Sequence, residues 1–306
     1  MALLLSGFGA FAQTKEAGVS FGTSNFLGDL GKKEPDGKFY FSDVGSSFWR
    51  PAVGAFYRVG FNKWVTAKAT IVYGRLAGDD RLTDYKEIQD ANWFRNYRNL
   101  HFKSPVVEAA IMGEIHLMPY AAGSTKWRIA PYVTAGLGLF YFNPKAEYNG
   151  EWVSLRNIGT EGQGMPGYGN KYSLIQPSMP VGLGLKYNLT REITLTIEFA
   201  HRFTFTDYID DVSNVYPDKA DIDAFYGKDR AKMVYELSRR SPENDPEGRY
   251  GRITEAGQQR GNPAGKDGFL ITTASISYVI GKSYLKEKNP FGRKKYQKYK
   301  RVMFDR

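Results

Sequence analysis

The stretch PAVGAFYRVGFNKWVTAKATIVYGR, Pro51 to Arg75, is two alternating runs joined across Asn62-Lys63. In its second half Val65, Ala67, Ala69, Ile71 and Tyr73 share one face of an extended chain, and Thr66, Lys68 and Thr70 share the other. A period of two with one apolar and one polar face is the mark of a strand. The pattern recurs in eight segments: Glu16 to Phe26, Pro51 to Asn62, Trp64 to Arg75, Pro105 to Met118, Trp127 to Phe142, Gln176 to Leu189, Glu192 to Phe205 and Phe269 to Ile280.

The connections between these segments alternate in length. Asn62-Lys63, Pro119 to Lys126 and Thr190-Arg191 are short, whereas those at about 27–50, 76–104, 143–175 and 206–268 are long. In an up-and-down barrel successive connections fall on opposite ends, so the short ones gather at one end and the long ones at the other. Outer-membrane barrels have that asymmetry, with tight periplasmic turns and long external loops. The expected fold is therefore all-β, an eight-stranded antiparallel up-and-down transmembrane β-barrel over residues 13–281. An even strand count puts both termini on the periplasmic side.

The apolar face is assigned to lipid, because a soluble barrel would turn its charges outward. Val107, Ala109, Ile111, Ile115 and Leu117 then face outward, opposed by Glu108, Glu114 and His116. The expected interior network is Arg58, Lys68, Arg128, Lys186 and Arg202 with Glu108, Glu114 and Glu198. Such charges persist in a narrow bore only when they pair, and eight strands leave just enough width for side chains to fill it. A plugged barrel is expected, with glycines 136, 138, 182 and 184 making room for the long charged chains. Trp64, Trp127, Tyr141, Tyr187 and Tyr278 fall near strand ends, where aromatic girdles meet headgroups.

The 306 residues include no cysteine, which excludes disulfides, thiolate metal sites and thiol nucleophiles. Residues 1–12 carry a short apolar stretch ending in Ala10-Phe11-Ala12, expected to be a signal peptide, although the positive leading segment is missing. The formal charge is +10, and residues 282–306 supply most of it through Lys282, Lys286, Lys288, Arg293, Lys294, Lys295, Lys298, Lys300, Arg301 and Arg306. Five aromatics, Tyr284, Phe291, Tyr296, Tyr299 and Phe304, are interspersed there. This basic periplasmic tail reads either as a solvated segment or as a docking segment for an acidic partner or anionic headgroups. Its composition resembles nucleic-acid binders, but export makes nucleic acid an irrelevant partner.

Candidates for chemistry are few. Asp207, Asp210 and Asp211 could collect calcium if carbonyls completed the shell, or cap the loop and pair with Arg75, Arg98 or Arg202 at the barrel mouth. His101, His116 and His201 raise a lipid-modifying enzyme as an option, yet no serine lies near His201 on its strand. GTEGQGMPGYGN, Gly159 to Asn170, lacks the Lys-Ser/Thr ending of a phosphate loop and reads as turns. Residues 220–240 carry the pattern of a short amphipathic helix. No catalytic residue, metal, cofactor or small-molecule substrate is expected.

Five segments in series carry a family resemblance: AGVSFGTSNFLGDLG from Ala17, RNLHFKSPVVE from Arg98, PYVTAGLGLFYFNP from Pro131, GTEGQG from Gly159 and TDYIDDVSNVY from Thr206. Together they resemble the Bacteroidota outer-membrane barrels that include the type IX secretion component PorG. The resemblance implies a non-enzymatic, structural or anchoring part in protein secretion, with periplasmic ring proteins of the PorK and PorN type as partners and the tail as a contact. The other open reading is a surface barrel whose external loops engage another surface protein or a glycan. The chain departs from many such barrels in continuing past its last strand and in the length of its fourth external loop.

Overall fold

The computed structural model describes residues 14–31, 50–83, 85, 87–88 and 90–280. The expected signal peptide, 1–12, and the basic tail, 282–306, lie outside the described residues. Eight long strands form the wall: β1 (Thr14–Leu27), β2 (Arg50–Gly60), β3 (Val65–Asp79), β4 (His101–His116), β5 (Ile129–Phe142), β8 (Ile175–Asn188), β9 (Ile193–Thr204) and β10 (Gly268–Ile280). The small hairpin β6 (Lys145–Tyr148) and β7 (Glu151–Ser154) interrupts their numbering. Each wall strand pairs antiparallel with its sequence neighbours, and β1 pairs with β10 from Lys15↔Ile280 to Leu27↔Gly268, so the sheet closes on itself. Closure satisfies the backbone of every wall strand on both sides, which a lipid environment requires.

The predicted faces hold. On β4 the odd-numbered residues point outward, and on β9 Thr194, Thr196, Glu198 and Arg202 point in. Ile111 and Leu137, register partners across β4 and β5, stand 72% and 71% exposed on the outer surface. An apolar band around a whole barrel is far larger than the patches a soluble monomer tolerates. Hydrocarbon removes that cost, so the wall is built for lipid. Both ends of the described chain lie at the end of the short turns, since Thr14 and Ile280 are register neighbours of Gly60 and Lys15.

At the opposite end the wall outgrows its expected limits. β3 continues to Asp79 and β4 starts at His101, so their pairing runs four residues further than alternation indicated. The signal failed there because Leu76, Ala77 and Gly78 are all buried against the long loops and no longer alternate.

The expected loops fold into a cap with its own elements. Helix α1 (Ala91–Arg98) starts at Asp90, whose side chain accepts from the Trp93 backbone N–H at 2.6 Å, and stops at Asn99, which adopts φ 63°. Both are standard terminators, an Asx N-cap and a left-handed C-cap. The one helix expected over 220–240 is two, α3 (Lys219–Phe225) and α4 (Lys228–Ser238), because Gly227 leaves helical geometry between them. A single turn, α2 (Leu155–Ile158), follows the β6–β7 hairpin. Ile209, Val212, Ile222, Val234 and Leu237 bury their side chains in one cluster with Phe102, Phe140, Phe142 and Phe269 from the wall. The apolar core of the molecule thus sits under the cap, across the barrel mouth.

Candidate functional site

The bore is filled by charge. The buried Lys, Arg, Asp and Glu side chains of the wall strands are four cations, Arg58, Lys68, Lys186 and Arg202, and four carboxylates, Glu16, Glu108, Glu114 and Glu198. The count is balanced, so the plug is neutral. Glu114 sits at its centre, accepting from Arg58 Nε at 2.9 Å and from Lys186 Nζ at 2.5 Å, with Lys68 Nζ 3.9 Å away. Lys68 donates to both oxygens of Glu198, at 2.8 and 2.5 Å, and the Tyr132 hydroxyl donates to Glu198 at 2.6 Å. Nearer the mouth, Arg202 Nε donates to Glu108 at 3.0 Å and Ser178 completes that carboxylate at 2.7 Å. Each carboxylate therefore has several donors, the condition under which buried pairs persist.

Two interior expectations need correction. Arg128 is not in the bore: it lies one residue before β5 begins, and its side chain is exposed. Its parity matches the inward row, but the strand has ended and nothing directs the chain inward. Glu16 takes the vacant place in the network. It lies across from Arg58 in register, 3.9 Å from that guanidinium, and accepts from the hydroxyls of Tyr120 and Ser277. The inward glycines also serve a different neighbour. A Cβ on Gly184 would collide with the Tyr132 ring, and one on Gly182 with Ala200, so these positions admit wall and aromatic side chains instead of the ion pairs.

A cavity of about 20 Å³ remains beside Arg58, Lys68 and Glu198. That is space for about one water molecule. No continuous passage follows from it.

The cap holds a second network. Arg260 is buried and joins three segments: Nη1 donates to Glu161 at 2.9 Å and to the Asp211 carbonyl at 2.5 Å, and Nε donates to the Ser238 carbonyl at 3.2 Å. Glu161 in turn accepts the backbone N–H groups of Ser213 and Asn214. The GTEGQG turns thus present one carboxylate to two distant stretches of the 206–268 connection. Gly159, Gly162 and Gly164 have φ between 79° and 91°, where a side chain would strain the backbone.

Asp207, Asp210 and Asp211 come together here; of the expected arginines Arg98 acts on Asp210 through its charge, while the bonds of all three arginines go to other groups. Asp211 accepts from Thr160 and from the Tyr172 hydroxyl at 2.7 Å, and lies 3.9 Å from Arg260. Asp210 accepts the Leu30 and Val212 N–H groups, and Asp207 accepts the Ser213 hydroxyl. Arg98 pairs with Asp80 at 2.8 Å, Arg202 with Glu108, and Arg75 donates to the Tyr73 hydroxyl. The partners differ from those expected because Asp80 takes Arg98, Glu108 takes Arg202 and Arg260 stands by Asp211. Burial pushes the Asp211 carboxyl up to about 7 against the opposing pull of Arg260, and pushes Asp207 up to about 6. Asp210 and Asp267 are also raised by burial and by neighbouring carboxylates. Among the described residues, no group of three or more His, Cys, Asp or Glu is arranged to hold a metal ion.

The three histidines have separate surroundings. His116 Nε2 is 2.9 Å from the Thr66 hydroxyl at the short-turn end of the bore, His101 accepts the Glu147 N–H at the rim, and His201 packs on Phe203 on the outer wall. Above the mouth, a crevice of about 360 Å³ opens between Phe94, Arg98, Tyr216, Gln259 and Asn262.

Comparison with known proteins gives a family and a set of similar barrels. The model of a family described as a domain of unknown function, DUF6089, matches residues 1–228. No curated protein matches the chain. Among solved structures, the chain is similar to Ail, the attachment invasion locus protein of Yersinia pestis, in complex with the heparin analogue sucrose octasulfate. Identity is 8%, coverage is 88% of this chain and 97% of that one, and the TM-score is 0.36. Neisserial surface protein A gives 9% identity, 89% and 99% coverage and a TM-score of 0.34. The outer membrane protein OprG of Pseudomonas aeruginosa gives 9%, 88% and 95%, and 0.34.

Proposed function

The chain belongs to the DUF6089 family, and we propose that it is a non-enzymatic outer-membrane barrel that acts as an anchor and conducts nothing. The observation that carries this reading is the neutral plug: four cations and four carboxylates pair inside the wall, and the cavity beside Arg58, Lys68 and Glu198 is only about 20 Å³. A bore so filled transports neither ions nor solutes, and the remaining uses of such a barrel are its two ends and its place in the membrane. The short-turn end, with both termini, faces the periplasm in this reading, and the capped end faces outward.

The finer assignment follows the family resemblance. The barrel anchors a type IX secretion assembly of the Bacteroidota kind, and residues 282–306, basic and aromatic, contact periplasmic ring proteins of the PorK and PorN type. Five sequence segments in consistent order and the charge concentrated in the tail support it. The test is deletion of Lys282 to Arg306 followed by purification from native membranes. Ring proteins accompanying the full chain and absent from the truncated one are the expected result. If they accompany both equally, or neither, the tail is not their contact. A second reading, a surface barrel that binds an extracellular protein or glycan, is favoured by the cap, which is a folded unit with a crevice. Extracellular ligands in place of ring proteins would then co-purify.

A further inference from the structure

Two lysines face each other at the outer rim of the wall. Lys103 of β4 is the register partner of Lys145 of β6. Like charges placed directly opposite on neighbouring strands destabilise the pair. Arg75, on the adjacent strand β3 and paired with Pro105, lies diagonally across from Lys103 and also repels it. Glu147 is the carboxylate that acts on Lys103, against the two cations Lys145 and Arg75. Arg75 and Lys103 are both exposed.

Their height is set by the strands beneath them. On β4 the outward row runs from Leu117, just past the strand end, through Ile111 and Val107 to Pro105, eleven residues of it within the strand from Ile115, and Lys103 is the next outward position. On β3 the outward row runs from Val65 to Tyr73, nine residues, and Arg75 is the next. A tilted strand crosses the hydrocarbon in about 9–11 residues. Both strands therefore place a cation at the first step beyond the acyl chains, where headgroup phosphates lie. Trp152 supports Lys103 there, with the ammonium 3.2 Å from its ring centroid, and an aromatic at that level marks the interface.

We propose that Arg75, Lys103 and Lys145 form a binding site for a phosphate of the phosphorylated glycolipid, lipid A, of the outer leaflet. An anion between the two opposed lysines turns a destabilising pair into a clamp, and the acyl chains of the same molecule lie along Tyr73, Val107 and Ile111. The site rests on the outer-membrane reading with the cap outward. It gives the barrel a fixed lipid neighbour on the β3–β4–β6 side.

The test uses the full chain, purified and folded, with lipid A bearing its phosphates and with the same lipid dephosphorylated, read by native mass spectrometry. The comparison is the triple variant Arg75→Gln, Lys103→Gln, Lys145→Gln, whose fold is checked by its heat-modifiable gel migration. The wild type is expected to hold the phosphorylated lipid at least about tenfold more tightly than the dephosphorylated one, and the variant to lose that preference while still showing the gel shift. Equal retention of the two lipids by the wild type, an unchanged preference in the variant, or displacement by millimolar inorganic phosphate would each overturn the site. A wild-type chain that shows no heat-modifiable shift in outer membranes would instead remove the membrane reading on which the site rests.

Discussion

Glu114 is the residue on which the plug turns, since three cations converge on it. Replacing Glu114 by Gln leaves four buried cations against three carboxylates, and an uncompensated buried charge costs about 3–5 kcal/mol. The Glu114→Gln barrel should unfold at a clearly lower urea concentration, followed by the loss of its compact band on gels. Adding Lys186→Met restores the balance and should recover more than half of that loss. No recovery would mean that packing, and not charge, decides stability here. Arg260 has the matching role in the cap: Arg260→Ala strands Glu161, so proteolysis within residues 206–268 should accelerate while the barrel's own migration is unchanged. The interior charges on strands were legible because alternation assigns a face to each, as it did for Lys68, Glu114 and Glu198. It misplaced Arg128 for want of a strand end, and it gave Glu16 no weight because its row continues through Gly18, Ser20 and Gly22. Glu161 and Arg260, 99 positions apart, carry no local pattern that announces their contact.

At the scale of elements, the cap couples its packing to pH. Asp207 and Asp211 have their carboxyl pKa values raised to about 6 and about 7 from 3.8, and Asp210 and Asp267 shift in the same direction. A raised acid binds more protons folded than unfolded, so its contribution is complete below about 4 and is lost as pH rises through 6 to 7. Backbone hydrogen exchange in 206–216 should therefore be slower at pH 5 than at pH 8 by about tenfold or more, after correction for intrinsic rates. Asp267→Asn keeps an acceptor for the Ile209 N–H, 2.8 Å away, and removes one charge of the group, so it should flatten this dependence. Exchange that slows as pH rises would contradict the account. The cap's elements were only partly legible: 220–240 announced a helix, whereas α1 and the β6–β7 hairpin are short and owe their order to the loops packed on them. Tyr97 of α1, stacked on Trp93 with Tyr250 against both rings, is ordered by a contact far along the chain.

For the whole molecule, a barrel closed from β1 to β10, sealed by ion pairs and capped at one end, should be electrically silent. Reconstituted in a planar bilayer, it should show no steady conductance above the bare membrane, and a stable open level would mean that the plug moves. The sorting of short and long connections made the barrel legible, because it records which end of a wall each loop belongs to and does not depend on any contact. The central claim is that this wall spans the outer membrane. Gel migration of the chain from isolated outer membranes, unheated against boiled, tests it most directly: the unheated sample is predicted to run as a compact, faster band that boiling converts to the slower unfolded form. A single position for both samples would contradict the account.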